Sequence, residues 1–395
     1  MRVVVLACVL AGCYSPSYDG LLCGAYGACP SGYTCDGHDM CVRSGGGDDQ
    51  PDAPRGDAAV DTPPGAFCLG GSASLFRPCF VTMPTTPVTL GGSLDTDAAS
   101  SICDAAASNN QVCVVAGSSI MLPVGITVRS TGTRALVLAS VTTITIDGAL
   151  DLTSRVGGNG GPPSGSRLGP CNAGTLPTAG TGAGGAGGSF AGTGGNGGPA
   201  SGSSGAPGAQ IAATGIRGGC AGQSGATGGG GGASALGGGG GGAIYLIAGT
   251  SITVNGGITA GGGGGAGGPS SLRAGGAGGG SGGMLAFDAP MVTVGGAAAL
   301  LASGGGGGEG SSGTAAGAAG SDAAGIGRAG GGDGATGSGG SGGGGAYVSM
   351  TAMAGTVSGG SAGAGGGGGA NGVIRVIPIG ALNALNGSFF GPLPQ

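Results

Sequence analysis

The sequence has no tryptophan and no lysine, one histidine (His38) and one glutamate (Glu309). All twelve basic residues are arginine, charged residues make up 7% of the chain, and aromatics 3%. Each shortage excludes something. Without lysine there is no G-x-x-x-x-G-K-[ST] loop, so the glycine runs are not phosphate cradles. With a net charge of −5 and no basic cluster, nucleic acid is not an expected partner. A single histidine leaves little material for acid–base chemistry. Disordered chains combine low hydrophobicity with high charge, and the charge is missing here. Much of the 39% apolar content is alanine. A thin, repetitive, backbone-dominated structure is expected in place of a thick core.

Glycine is abundant, with 110 among 395 residues. The first residues read "MRVVVLACVLAGC". Arg2 and the apolar run Val3 to Ala11 are too short to span a bilayer. With "LAGC" ending at Cys13 and a polar "YSPSYDG" following, the segment resembles a bacterial lipoprotein signal with its lipobox. The resemblance implies a signal peptide over 1–12 and acylation of Cys13, so the membrane is a partner through the lipid. Tyr14 stands where that family's inner-membrane retention signal has Asp, which implies the outer membrane or cell surface.

Cys8 would leave with the signal. Ten cysteines then remain beyond Cys13: Cys23, Cys29, Cys35 and Cys41; Cys68, Cys79, Cys103 and Cys113; and Cys171 with Cys220. Even groups in an exported chain read as disulfides. Residues 13–43 are too few for an apolar core and need bridges. "CPSGYTC" resembles the end of an EGF-like module, and the opening as a whole resembles predicted lipoproteins common in myxobacteria. The cysteine spacing is too wide for a zinc site, so His38 is expected as a loop residue and no metal or cofactor is implied. Residues 44–65, with Asp48, Asp49, Asp52, Asp57 and Asp61 among Pro and Gly, read as a self-repelling linker.

From Phe67 short β-branched runs alternate with turn residues, which predicts strands. One short helix is expected in "DTDAASSICDAAAS", with Asp97 as its cap. Four segments align without gaps: "ALVLASVTTITIDGAL" from Ala135, "AIYLIAGTSITVNGGI" from Ala243, "GMLAFDAPMVTVGGAA" from Gly283 and "AYVSMTAMAGTVSGGS" from Ala346. Leu136, Ile244, Met284 and Tyr347 match, and so do Ile144, Ile252, Val292 and Gly355. A further copy begins at Gly372 with "GVIRVIP" and breaks off. One unit cannot bury its apolar face; stacked units can. The fold class expected is therefore all-β, a parallel β-solenoid. Residues 66–156 would form disulfide-capped first rungs, 157–242 a glycine-rich insertion and 243–395 the glycine-rich repeats.

The insertions place non-glycine residues at every third position, as in Ala186 and Ser189 or Thr193, Asn196 and Pro199. That period suits a polyproline-II-like glycine helix with three residues per turn and no internal hydrogen bonds. The pattern resembles glycine-rich β-helical surface proteins of bacteria and, more distantly, the glycine-rich domain of anaplastic lymphoma kinase. The resemblance implies architecture more than activity.

Catalytic material is sparse, and the chain is expected not to be an enzyme. Asp147 and Asp151, in "IDGALDL", form the one carboxylate pair on patterned strands. Four apart on one strand they would share a face and could serve polysaccharide binding or cleavage. The plainer reading of Asp147 is a turn residue beside Gly148. "GGGDGATG" around Asp333 does not fit a calcium repeat. An ice-binding surface needs flat ranks of Thr or Ala, and Thr is irregular along the chain. The function expected is structural or adhesive at the cell surface, with a polysaccharide or a surface protein as partner; the alternative is a carbohydrate-binding or carbohydrate-cleaving β-helix.

Overall fold

The computed structural model describes residues 33–35, 41–43, 66–98, 102–104, 107–158, 161–229, 234–270, 273–333, 339–357, 362–384 and 389–395. It divides into two compact units, 1–61 and 62–395. In the first, β1 (Tyr33–Cys35) and β2 (Cys41–Arg43) pair antiparallel with Cys35 opposite Cys41. Cys13, Cys23, Cys29, His38 and the linker 44–65 lie outside the described residues.

The second unit is all-β, with no α-helix among the described residues. It opens with β3 (Phe67–Cys68) and β4 (Cys79–Phe80), an antiparallel pair closed by a Cys68–Cys79 disulfide. β5 (Val88–Thr89) and β6 (Ser93–Asp95) follow. The chain then repeats a three-strand circuit. The circuits are β7 (Val112–Gly117), β8 (Ile120–Leu122) and β9 (Thr127–Thr131); β10 (Ala135–Ser140), β11 (Thr143–Ile146) and β12 (Ala149–Asp151); β13 (Ala243–Ala248), β14 (Ser251–Val254) and β15 (Gly257–Thr259); β16 (Met284–Asp288), β17 (Met291–Val294) and β18 (Ala299–Leu301); and β19 (Val373–Ile377), β20 (Leu382–Ala384) and β21 (Phe389–Gly391). Each circuit contributes one strand to each of three parallel sheets, in the orders β19-β16-β13-β10-β7, β20-β17-β14-β11-β8-β5 and β21-β18-β15-β12-β9-β6. The result is a β-helix-like stack.

Side-chain alternation explains the sheets. In "TITI" and "SITV" the isoleucines and valines point in and Thr or Ser points out, as a two-residue period requires. Ile144, Ile252 and Val292 stack in register, as do Ile146, Val254 and Val294. With Leu136, Ile244 and Leu285 from the first sheet and Leu150, Ile258 and Leu300 from the third, they form one continuous core. The first sheet is buried on both faces, which is why "ALVLAS" and "AIYLIA" are apolar without alternation. Its outer face carries Val137, Tyr245 and Ala286, covered by Leu69 and Phe80 of the hairpin and by Phe190 of the glycine insertion.

The structure corrects three expectations. Residues 346–357 contain no strand of the stack; the segment from Gly372 takes that place, with Leu285 paired to Ile374. The physical reason is in the aligned positions. Gly355 falls where a core Ile or Val is needed, whereas "VIRVI" supplies Ile374 and Val376 to the core. In the copy from Gly283 the first strand is displaced by one residue: Ile244 pairs with Leu285, not Met284. A one-residue slip exchanges the two faces of a strand, so a shorter corner before β17 restores the register. Finally, Asp97 caps no helix among the described residues; it lies in a turn and accepts hydrogen bonds from Thr133 N (2.6 Å) and Thr133 Oγ1 (3.0 Å), and residues 99–101 and 105–106 of the expected helix lie outside the described residues.

The glycine segments between circuits pack side by side with a strict three-residue rhythm. In 275–282, Gly275, Gly278 and Ser281 donate to Ala226, Gln223 and Cys220. Gly276, Gly279 and Gly282 donate to Ala364, Gly367 and Ala370, while Ala277 and Gly280 donate to Ala266 and Gly263. Residues 304–311 and 363–370 repeat the scheme with their own neighbours. Successive amides of one segment are thus bonded to three different neighbouring segments in turn. The acidic residues of this region stand in for missing carbonyls. Asp322 Oδ1 accepts from Val156 N (2.8 Å) and Gly264 N (2.9 Å), and Glu309 Oε2, at a residue 2% exposed, accepts from Ala318 N (2.8 Å). A second disulfide, Cys103–Cys113, ties the segment before β7 to the core, and a third, Cys171–Cys220, closes the glycine insertion.

Candidate binding surface

Asp147 and Asp151 do not share a strand face. Asp147 sits at the corner after β11, where its Oδ1 accepts from Asn255 Nδ2 (2.8 Å), and Asp151 ends β12 in a different sheet. The "IDG" corner turns the chain between them. Asp151 is fully occupied: Oδ2 meets Arg129 (3.0 Å) and Arg155 (2.6 Å), and Oδ1 accepts from Thr153 N (2.9 Å) and Thr259 Oγ1 (3.2 Å). Burial works to raise its pKa. The backbone bond from Thr153 and the charge of Arg155 outweigh it and hold the carboxyl below its ordinary value. A carboxylate so held is a poor proton donor or base at neutral pH.

A second polar cluster, absent from the sequence reading, lies under the hairpin. Asp288 Oδ2 accepts from Ser74 Oγ (2.5 Å) and from Tyr245 Oη (2.5 Å). Burial first, and then the hydrogen bond to Asp288, push the Tyr245 phenol well above its ordinary pKa. The three residues are far apart in sequence, and only the register of β13 against β16 brings Tyr245 and Asp288 together. The one signal was a tyrosine inside an apolar run. With Tyr245 neutral and one carboxylate oxygen shared by two hydroxyls, the cluster latches the hairpin to the sheet. Among the described residues no group of three or more His, Cys, Asp or Glu could hold a metal, and no helix is long and apolar enough to cross a membrane.

The most regular open surface is the outer face of the second sheet. Parallel in-register pairing aligns Thr89, Met121, Thr145, Thr253, Thr293 and Asn383 in one rank. Beside it run Thr143, Ser251 and Met291. These side chains are half-buried or exposed, with Met121 at 44% and Met291 at 50%. None is charged. Thr is irregular along the sequence, but unequal loops are removed by stacking, and the hydroxyls and methyls recur at the strand spacing of about 4.8 Å. The third sheet contrasts: its outer positions include Arg129 and Asp151.

No family model matches the chain, and no curated protein or solved structure matches it.

Proposed function

We propose that the chain is exported, acylated at Cys13 and held at the outer membrane or cell surface, where it has a structural or adhesive role without catalysis. In this reading the stack is a three-sided parallel β-solenoid, its insertions are polyglycine-II-like helices, and a disulfide-rich knob and acidic spacer precede it in the chain. The observation that carries the adhesive part is the uncharged rank of Thr145, Thr253 and Thr293 on an open sheet face. Hydroxyls that both donate and accept, set beside methyl groups, suit a flat neutral polysaccharide. Three disulfides in the described residues agree with an oxidising compartment. The structural ties of Asp151 and Asp288 argue against their use in chemistry.

Labelled palmitate should enter the full-length protein in cells and be absent from Cys13→Ala; equal labelling of both removes the anchor. Purified protein should bind neutral glycans on an array without turning them over. Thr253→Arg, an outward substitution, should abolish that binding and leave the fold unchanged. Glycan turnover that is lost in Asp147→Ala would replace the adhesive reading with a carbohydrate-cleaving one.

A further inference from the structure

A groove of about 780 Å³ is lined on one side by residues of 154–158 and 161–171 and on the other by the glycine segments around Ala221, Gly240 and Gly267. Its floor is the segment 235–240. Gly238 donates to Gly278 and accepts from Gly222, while Leu236 and Gly239 accept from Ala266 and Gly263 through their carbonyls only, so one direction of this segment is fully bonded and a second is half bonded. The remaining direction belongs to Gly237 and Gly240. Neither the N–H nor the C=O of either residue has a partner among the described residues, and Gly240 is buried. The same holds for the amide and carbonyl of Ala221 on one wall and Gly267 on the other.

Buried backbone groups without partners are rare because each carries a desolvation cost. Gly240 is such a buried residue, while Gly237 and Gly267 are half-buried and Ala221 is exposed; Gly237 and Gly240 are three residues apart, the interval at which every interior segment meets a neighbour. The groove also carries charge. Arg167 is exposed at its rim with no ion pair among the described residues, while Arg155 is paired to Asp151. Pro162, Pro163 and Pro269 line it together with Leu236, which is 69% exposed.

We infer that this groove is a docking site for an extended peptide of a partner protein, one with three residues per turn, glycine or alanine at every third position and an acidic residue opposite Arg167. Gly237 and Gly240 would donate their N–H groups to its carbonyls, as the interior segment 275–282 donates along each direction to a single neighbour. Small residues at that period are needed because a bulky side chain facing the glycine floor would hold the two backbones apart. The prolines and Leu236 offer apolar contact to the side of the peptide that does not face the floor. A preformed, low-entropy extended conformer favours such recognition.

The test is fluorescence anisotropy of a labelled peptide of Gly-Gly-Ala repeats ending in Asp, titrated with the purified full chain. Saturable binding is expected. Arg167→Glu, at an exposed side chain, and Ala221→Trp, which fills one wall from an exposed position, should each weaken it at least roughly tenfold. Their circular dichroism and melting should match the parent's. A peptide with Val in place of each Ala should bind at least roughly tenfold more weakly. Absence of saturable binding would overturn the proposal, and so would affinity indifferent to both variants. Binding of polygalacturonate with no binding of the peptide would also overturn it and make the groove an anionic-glycan site.

Discussion

At Gly278 a methyl group would stand 1.9 Å from the carbonyl oxygen of Ala186, inside the backbone of a neighbouring segment. At Gly257, on β15, the nearest such atom is Ala299 O at 3.8 Å, and the residues beside it in register are Ala149 and Ala299. Gly278→Ala should therefore cost roughly 3 kcal/mol or more through forced separation of backbones. Gly257→Ala should be neutral or stabilise by about 0.5 kcal/mol through the unfolded chain. Paired thermal melts check both. Asp151 gives a pH prediction. Its folded pKa is depressed, so its contribution is complete above the unfolded value, about 3.9. It is lost as pH falls through the lower folded value. Asp151→Asn should reduce stability by roughly 1–2 kcal/mol at neutral pH. The deficit should shrink below about pH 4 as the parent protonates, which urea titrations across pH would show.

At the level of elements, the Cys171–Cys220 bridge closes a loop with a sequence separation of 49. The chain-entropy model gives such a loop about 4 kcal/mol. Replacing both cysteines by serine should lower stability by up to that amount, read from denaturant midpoints. The loss should be smaller if the bonds of Ser281 to Cys220, through backbone and hydroxyl, persist in the variant. The strands were the readable part of the sequence. "TITI", "SITV" and "MVTV" announce which side faces the core, because alternation is a local property. The copy at Ala346 shows the limit. Its spacing matches, yet its Gly355 leaves the core position empty, and stacking selects on volume at that position, not on spacing. The Thr rank and the Tyr245–Asp288 contact were not readable. Both depend on registers between strands separated by loops of unequal length, which no local pattern encodes. Asp147 and Asp151 do not share a face, and the plainer reading of Asp147 as a turn residue beside Gly148 holds, because a corner at Gly148 separates β11 from β12.

For the molecule as a whole, two kinds of cohesion coexist. The stack buries leucine, isoleucine and valine, while the glycine bundle buries mostly peptide groups. Exposure of apolar surface raises the heat capacity on unfolding and exposure of polar surface lowers it. The calorimetric heat-capacity change should therefore fall below the usual ~12–15 cal/mol/K per residue. A value in the ordinary range would mean that the bundle contributes little to the cooperative unit. The three-way bonding of the glycine segments also fixes a time signature. In heavy water every amide from Gly275 to Gly282 is engaged, whereas in 237–241 only Gly238 and Gly241 are. Deuterium should enter the first stretch slowly and evenly. In the second it should enter quickly at Gly237, Gly239 and Gly240 and slowly at the two residues between and beyond them, so that residue-resolved exchange would trace the margin of the bundle as a beat of three.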